Sequence, residues 1–338
     1  MYICTYTYLP MLIPDLQPFD GDHCETTATG TLLHQLDIHL SEPMLFGLGE
    51  GLGYIFWKLK VMDLPFIGGR VKPDALTASL ARNLNLRLTV RETSSPTKAW
   101  NEVKSLLDNG KAVGLKLDCF HLEYFKRPFH FAGHYVALCG YDEQFAYMVD
   151  TRQQNGLNKT SLESLSKARS EKGPMSSKNL YYTLESTDRP FDLKHAIPQA
   201  IRNNATEFLN PPISNIGYKG IERTAKEVIK WYENSKNVEK DFKMMAMLME
   251  RAGTGGALFR NLYRDFLKES AELLESDVIH SSYTDFVAIA AMWSEVSRLF
   301  EQAALNQDIA YIKQSSSILK DLSVREKMAM ERLVGVKN

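Results

Sequence analysis

A cysteine, a histidine and an aspartate in this sequence have the types and spacing for nucleophilic catalysis. Cys24 follows Asp20-Gly21-Asp22-His23 and precedes Glu25-Thr26-Thr27-Ala28. The acidic residues around Gly21 predict a turn, and Ala28, Leu32, Leu33 and Leu36 then recur at helical spacing. Cys24 falls in the first turn of that helix, where backbone N–H groups lack intrahelical acceptors and the helix dipole favours an anion. Such positions, with cationic neighbours, lower thiol pKa values to roughly 3.5–7.5, which suits a nucleophile. The structural alternative is a small buried side chain at a helix start, a common place for cysteine.

A thiol nucleophile needs a base, and the base an acceptor to orient it. His134 opens the β-rich run His134–Gly140 (HYVALCG), and Asp150 closes the run Gln144–Asp150 (QFAYMVD). With Tyr141-Asp142-Glu143 as a three-residue loop the runs form a hairpin in which Leu138 faces Ala146, Val136 faces Met148 and His134 faces Asp150. Directly opposed side chains share a face, with Cβ atoms about 4.5–5.5 Å apart. Asp150 would then accept from one imidazole nitrogen and leave the other for Cys24. A two-residue loop would place the pair on opposite faces, so the inference depends on register. A strand-end histidine and a turn aspartate with purely structural bonds are the alternatives.

The elements that must position these residues belong to a chain of two-domain length. It has 338 residues, 40 Lys and Arg against 41 Asp and Glu, and a net charge of −1. That balance lacks the basic footprint of a dedicated nucleic-acid binder. No run approaches the roughly 18 apolar residues that cross a bilayer. Four cysteines (Cys4, Cys24, Cys119 and Cys139) without a C-x-x-C pair exclude a disulfide scaffold and argue against structural zinc. The expectation is a soluble cytoplasmic protein. Met1–Ile13 is apolar but interrupted by Pro10, and the alternation of Tyr2, Cys4, Tyr6 and Tyr8 reads as a strand rather than a leader.

The fold class reads as α+β. Residues 1–187 mix strands and helices, with a helix at Thr97–Leu107 and strands at Lys111–Lys116, in the hairpin and at Asn179–Leu184. Residues 188–338 read as an all-helical domain. Ile221, Ala225, Val228 and Tyr232 share one helical face, and Phe286, Ile289, Trp293, Val296, Phe300 and Ala303 form a longer apolar stripe suited to a bundle core.

Cysteine at the start of an early helix, histidine opening Gly133-His134-Tyr135-Val136-Ala137-Leu138-Cys139-Gly140, and an acceptor ending the next strand resemble the papain-like fold, including the C39-type peptidases. His23–Ala28 (HCETTA), Leu40–Tyr54 (LSEPMLFGLGEGLGY) and Gly133-His134-Tyr135 resemble, more narrowly, the butirosin biosynthesis protein H family. The resemblance covers nearly the whole chain. It implies a papain-like cysteine-peptidase-type domain followed by a helical domain, with Cys24 as nucleophile, His134 as base and Asp150 as its orienter. The family's namesake moves an aminoacyl group from an acyl-carrier-protein thioester to an aminoglycoside amine. The partners implied are therefore an acyl-carrier protein or acyl-CoA donor and a small-molecule amine. The phosphopantetheine-linked donor is a substrate, and no cofactor is called for. Papain-like enzymes usually carry a glutamine six residues before the cysteine as an oxyanion donor. Here that residue is Pro18, which leaves the Cys24 N–H with Gln17 or His23 as candidate second donors.

Further candidates lie outside this constellation. Gly47, Gly49, Gly51 and Gly53 have neither phosphate-loop spacing and read as close packing beside the active site. Glu50 and Tyr54 within that run are candidates for the substrate pocket; Glu50 could equally cap a turn. Asp118, Cys119 and His121 imitate a metal cluster without further support. Arg251–Gly256, with Arg260 nearby, reads as an inter-helix turn or as a receiver for a pantetheine phosphate or carboxylate. The expected activity is acyl transfer through an acyl-cysteine. A cysteine hydrolase of a peptide, amide or thioester bond, and a non-catalytic carrier-protein-binding module, are the alternatives.

Overall fold

A computed structural model describes residues 11–58, 65–173 and 176–337, so the strand expected around Tyr2–Tyr8 and the thiol of Cys4 lie outside the described residues. The chain begins with β1 (Met11–Leu12), α1 (Cys24–His34), α2 (Glu42–Leu48), β2 (Leu52–Trp57), β3 (Phe66–Arg70) and α3 (Ala75–Asn83). It continues with β4 (Arg87–Arg91), α4 (Pro96–Asp108), β5 (Val113–Leu117), β6 (His134–Tyr141), β7 (Phe145–Val149), β8 (Leu157–Ser161), α5 (Leu162–Ser170) and β9 (Tyr181–Glu185). Helices then follow one another: α6 (Leu193–Leu209), α7 (Gly217–Asn234), α8 (Val238–Glu250), α9 (Arg260–Leu274), α10 (Asp277–Asn306) and α11 (Ile309–Val334).

These elements form two compact units, and the division differs from a single cut after residue 187. One unit comprises Met1–Leu40 and Leu86–Arg189; the other comprises Ser41–Asn85 and Pro190–Asn338. Residues 41–85 join the helical unit because their apolar faces pack there. Gly47 of α2 lies so close to the Phe266 ring of α9 that a Cβ would stand 2.0 Å from it. The Tyr54 hydroxyl of β2 shares a hydrogen bond of 2.6 Å with Thr224 of α7, and Asn204 of α6 donates to the Leu52 carbonyl at 2.7 Å.

The first unit is built on an antiparallel sheet of order β4-β9-β5-β6-β7-β8, with β1 beside the far end of β6. Val113, Leu115 and Leu117 of β5, Val136 and Leu138 of β6, and Ala146 and Met148 of β7 alternate onto one face and meet Val103 and Leu107 of α4 and Leu165 and Ala168 of α5 in a common core. The sequence shows only one apolar stripe on α1, yet every residue from Cys24 to Leu33 is buried. The threonines make this tolerable by satisfying their hydroxyls locally. Thr26 and Thr27 donate to the His23 carbonyl at 2.9 and 2.8 Å, and Thr31 donates to that of Thr27 at 2.9 Å. Thr29 meets the Tyr182 hydroxyl of β9 at 2.9 Å.

The β6–β7 register departs from the three-residue loop. Asp142 N–H donates to Phe145 O at 2.9 Å, which leaves Glu143 and Gln144 at the tip and pairs Tyr141 with Ala146. A two-residue tip alone would put His134 and Asp150 on opposite faces. The pairing then slips, from Gly140 opposite Tyr147 to Leu138 opposite Met148, with Cys139 as the extra residue. This β-bulge restores the shared face. The pair is offset by two residues instead of directly opposed, a diagonal of about 7–8 Å that an imidazole and a carboxylate can span.

In the second unit the stripe expected on α10 is the core: Phe286, Ile289, Trp293, Val296, Phe300 and Ala303 are all buried. Full burial of each large apolar side chain is worth about 1.5–3 kcal/mol. A polar cluster lies within this core. The Arg260 guanidinium is fully buried and meets both oxygens of the equally buried Glu326, at 2.9 and 2.8 Å. Its remaining nitrogen donates to the Leu258 and Gly69 carbonyls, and Trp293 Nε1 donates to Glu326. Removing one partner strands a buried charge, whereas removing both does not. Arg260→Met or Glu326→Leu alone is expected to cost about 3–5 kcal/mol in urea unfolding. The double variant should lose less than the two single losses combined; strictly additive losses would show that the pair is not coupled.

Candidate functional site

Three chain segments of the first unit converge at one end of its sheet. His134 is the first residue of β6, Asp150 follows the last residue of β7, and Cys24 is the first residue of α1, which packs across β5 and β6. His134 Nε2 lies 2.8 Å from Asp150 Oδ2, and the Cys24 thiol is near enough to act electrostatically on the imidazole. All three are buried: Cys24 and His134 are 8% exposed and Asp150 is 1% exposed. The structure thus brings together Cys24, His134 and Asp150, the three residues singled out from sequence.

The polarity of this cluster follows from its neighbours. Asp150 Oδ1 accepts from the Thr151 N–H at 2.6 Å, and Oδ2 accepts from the Tyr124 hydroxyl at 2.7 Å as well as facing His134. A carboxylate surrounded by donors stays where it is aimed, and it selects the imidazole tautomer with Nε2–H toward it. Burial disfavours the imidazolium, but the charge of Asp150, its hydrogen bond and the neighbouring Cys24 outweigh this and raise the His134 pKa to about 10. Burial pushes the Cys119 and Cys139 thiols up to about 12, and their Sγ atoms donate to the Phe129 and Tyr147 carbonyls.

Cys24 is held in place from the β7 side. Arg152, two residues after Asp150, donates from its backbone to Gly21 O at 2.8 Å and grips Asp20 with Nε and Nη2 at 2.9 and 3.1 Å; its Nη1 lies 3.4 Å from Asp22. One short segment therefore holds both the imidazole and the turn that precedes Cys24. The acidic pair flanking Gly21 was the sequence signal for such a cation. Tyr124, in the loop between β5 and β6, had no comparable signal, because nothing in local periodicity places a loop tyrosine against Asp150.

The remaining candidates are placed elsewhere. His34 Nδ1 donates to the Gln17 carbonyl at 3.0 Å, which puts Gln17 at the C-terminal end of α1. That is ten residues from Cys24, about 15 Å along the helix axis, so Gln17 is not brought to the nucleophile. His23 is the N-cap residue directly before Cys24, with Nδ1 3.4 Å from the Thr26 hydroxyl and no side-chain cap bond. The Cys24 N–H is among the first-turn donors that α1 itself cannot satisfy.

Glu50, Tyr54 and Arg260 belong to the second unit and serve its interior rather than a pocket. Glu50 is bonded by Arg82 at 2.7 Å, Asn203 at 2.8 Å, Asn83 at 3.2 Å and Ser79 at 3.2 Å. Tyr54 is bonded to Thr224, and Arg260 is committed to Glu326. Gly49, Gly51 and Gly53 are glycines for close approach, since a Cβ would stand 2.6 Å from Leu76, 2.7 Å from Phe46 and 2.9 Å from the Arg70 backbone. The turn before α9 is not a vacant anion receiver either, because Glu250 accepts from the Ala257 N–H at 3.2 Å. Asp118 accepts from the Phe120 and Phe131 N–H groups at 2.9 Å and faces His130 at 3.0 Å, while His121 meets Glu171 at 2.6 Å. Those side chains fasten a loop.

Two family models match the chain. Residues 163–333 match a domain of unknown function (DUF4872), and residues 23–151 match the N-terminal region of butirosin biosynthesis protein H. The chain belongs to the butirosin biosynthesis protein H-like family. In this family member the N-terminal match runs from His23 to Thr151 and so encloses Cys24, His134 and Asp150. The second match begins inside α5 and includes β9, which places part of the sheet-containing unit in it. No curated protein matches the chain, and no helix among the described residues is long and apolar enough to cross a membrane.

The raised His134 pKa makes folding stability pH-dependent. A group whose pKa is higher in the folded than in the unfolded chain stabilises fully below its unfolded value, near 6.5, and loses that contribution as pH rises toward about 10. The stability difference between the wild type and His134→Gln should therefore shrink across pH 6.5–10, by up to about 1.4 kcal/mol per pH unit. Denaturant unfolding at several pH values measures it, and a difference independent of pH would contradict the charge assignment.

Proposed function

We propose that this protein is a thiol-dependent acyltransferase with a papain-like catalytic unit, in which Cys24 carries the acyl group between a thioester donor and an amine. The observation that carries the reading is His134, buried and bonded to Asp150 at 2.8 Å with the Cys24 thiol as its other titratable neighbour. A cysteine beginning a helix that packs on an antiparallel sheet, with histidine opening one strand and its acceptor following the next, supports the papain-like assignment. The family's description as a biosynthesis protein favours bond formation over degradation.

The chemistry follows from the charge states. The Cys24 sulfur, having passed its proton to His134, attacks the thioester carbonyl, and the developing oxyanion is met by the Cys24 N–H. The C–S bond to the donor breaks, the donor thiolate takes the proton from His134, and an acyl-cysteine remains. An amine then attacks, neutral His134 accepts its proton, and the C–S bond to Cys24 breaks to release an amide. One sulfur replaces another in the first half, so that step is nearly balanced; the second is driven by the greater stability of the amide. An acyl-carrier protein or coenzyme A is the donor chemistry proposed, and a small-molecule amine the acceptor.

Incubation with acyl-thioesters of coenzyme A or a loaded carrier protein, read by intact mass, tests the reading. The wild type should gain one acyl mass, Cys24→Ala none, and an added amine should discharge it as acyl-amine. Discharge only to free acid would instead support a cysteine hydrolase. Absence of an adduct across several thioesters would support a non-catalytic carrier-binding role. His134→Ala should slow acylation at least about a hundredfold, at the low end for a lost general base.

A further inference from the structure

Tyr124 lies in a turn closed by the Phe125 N–H donating to Leu122 O at 3.0 Å. Its hydroxyl donates to Asp150 Oδ2 at 2.7 Å, the same oxygen that faces His134 Nε2 at 2.8 Å. The next residue, Phe125, sets its ring edge-on to the His134 imidazole, with centroids 5.5 Å apart and planes at 88°. Two consecutive side chains of one turn thus touch the two members of the dyad. The turn is itself held, because Asp118 gathers the N–H groups of Phe120 and Phe131 across the loop, and the Cys119 N–H donates to Phe131 O at 3.3 Å.

We propose that Tyr124 is a positioning residue of this site: by sharing Asp150 Oδ2 with His134, it fixes the carboxylate's orientation and limits how tightly His134 holds its proton. This rests on the triad assigned above and adds to it a determinant that the triad does not contain. His134 has two opposed tasks, remaining protonated while Cys24 is a thiolate and becoming neutral when an amine must lose its proton. An aspartate devoted wholly to the imidazole favours the first at the expense of the second. A phenol donating to the same oxygen withdraws part of that charge, and a hydrogen bond to a charged group is worth about 1.5–3 kcal/mol. The phenol keeps its proton, since burial and then the charge of Asp150 push its pKa well above the ordinary value. The other titratable groups acting on the imidazole are Cys24 from α1 and Asp150 after β7, while Cys119 nearby stays a neutral thiol. From β5, the residue paired with His134 is Leu117, which bears no charge.

The test is the ring 15N NMR titration of His134 in protein carbamidomethylated at Cys24, which removes the thiolate as the acyl-enzyme does. Tyr124→Phe, which keeps the ring, should raise the His134 pKa by about half a unit or more. Replacing Tyr124 with 3-fluorotyrosine, a stronger donor of similar size, should lower it, and this arm answers the question even where Tyr124→Phe folds poorly. Met148→Leu removes the other atom near the hydroxyl, Sδ at 3.5 Å, and should leave the titration in place. Superimposable titrations for the wild type and both Tyr124 variants would overturn the proposal, as would an equal shift in Met148→Leu, which would assign the effect to packing. These outcomes are separate from those of the thioester test. A failure to acylate Cys24 removes the transferase reading without touching the titration, and an unmoved titration removes the role of Tyr124 while acylation stands.

Discussion

The hydrogen bond between His134 Nε2 and Asp150 Oδ2 is the constraint around which the sheet-containing unit is arranged. It joins a charged pair with almost no access to water, where an unpartnered carboxylate or imidazolium would be costly. The bond exists only because Cys139 is an extra residue in β6. With a two-residue tip and no bulge, the imidazole would point to one face of the sheet and the carboxylate to the other. The bulge is thus part of the site, although Cys139 lies five residues from His134 and takes no part in the chemistry.

Around that bond the unit spends its polar groups economically. Each Asp150 oxygen has a donor besides His134 or in place of it, from Tyr124 and Thr151. Arg152 carries the same segment across to the turn before Cys24. Helix α1 can be buried on every side because its threonines close their hydroxyls onto its own carbonyls or onto Tyr182. The second unit follows the same rule in its own core, where Arg260, Glu326 and Trp293 form a mutually satisfied cluster among apolar side chains.

Local patterning made much of this legible. The start of α1 at Cys24, the helix α4, the β6–β7 hairpin and the core face of α10 all follow from period and turn residues a few positions apart. What required contacts between distant residues was not legible. The register of the hairpin depends on a bulge that no residue type announces. Residues 41–85 read as a continuation of the mixed unit, but Gly47 packs on Phe266, more than two hundred residues later. Glu50 looked like a pocket group because it is a charge in an apolar run, and Arg260 because it stands beside a glycine-rich turn at a helix start. Their partners, Asn203 and Glu326, are far away in sequence and inside the same unit. Gln17 stands one residue from the position papain-like enzymes use for an oxyanion donor, yet the chain before α1 runs back along the helix and leaves it at the far end from Cys24.

The claim that His134 and Asp150 activate Cys24 is tested most directly by the thiol's reactivity, independently of any natural substrate. Treatment at pH 6 with less than one equivalent of iodoacetamide, followed by peptide mapping, should place the label on Cys24 and spare Cys119 and Cys139, whose pKa values burial raises to about 12. Asp150→Asn and His134→Gln should each remove that selectivity while the fold persists. Labelling of Cys24 at pH 6 that is absent in the wild type, or unchanged in both variants, would contradict the account.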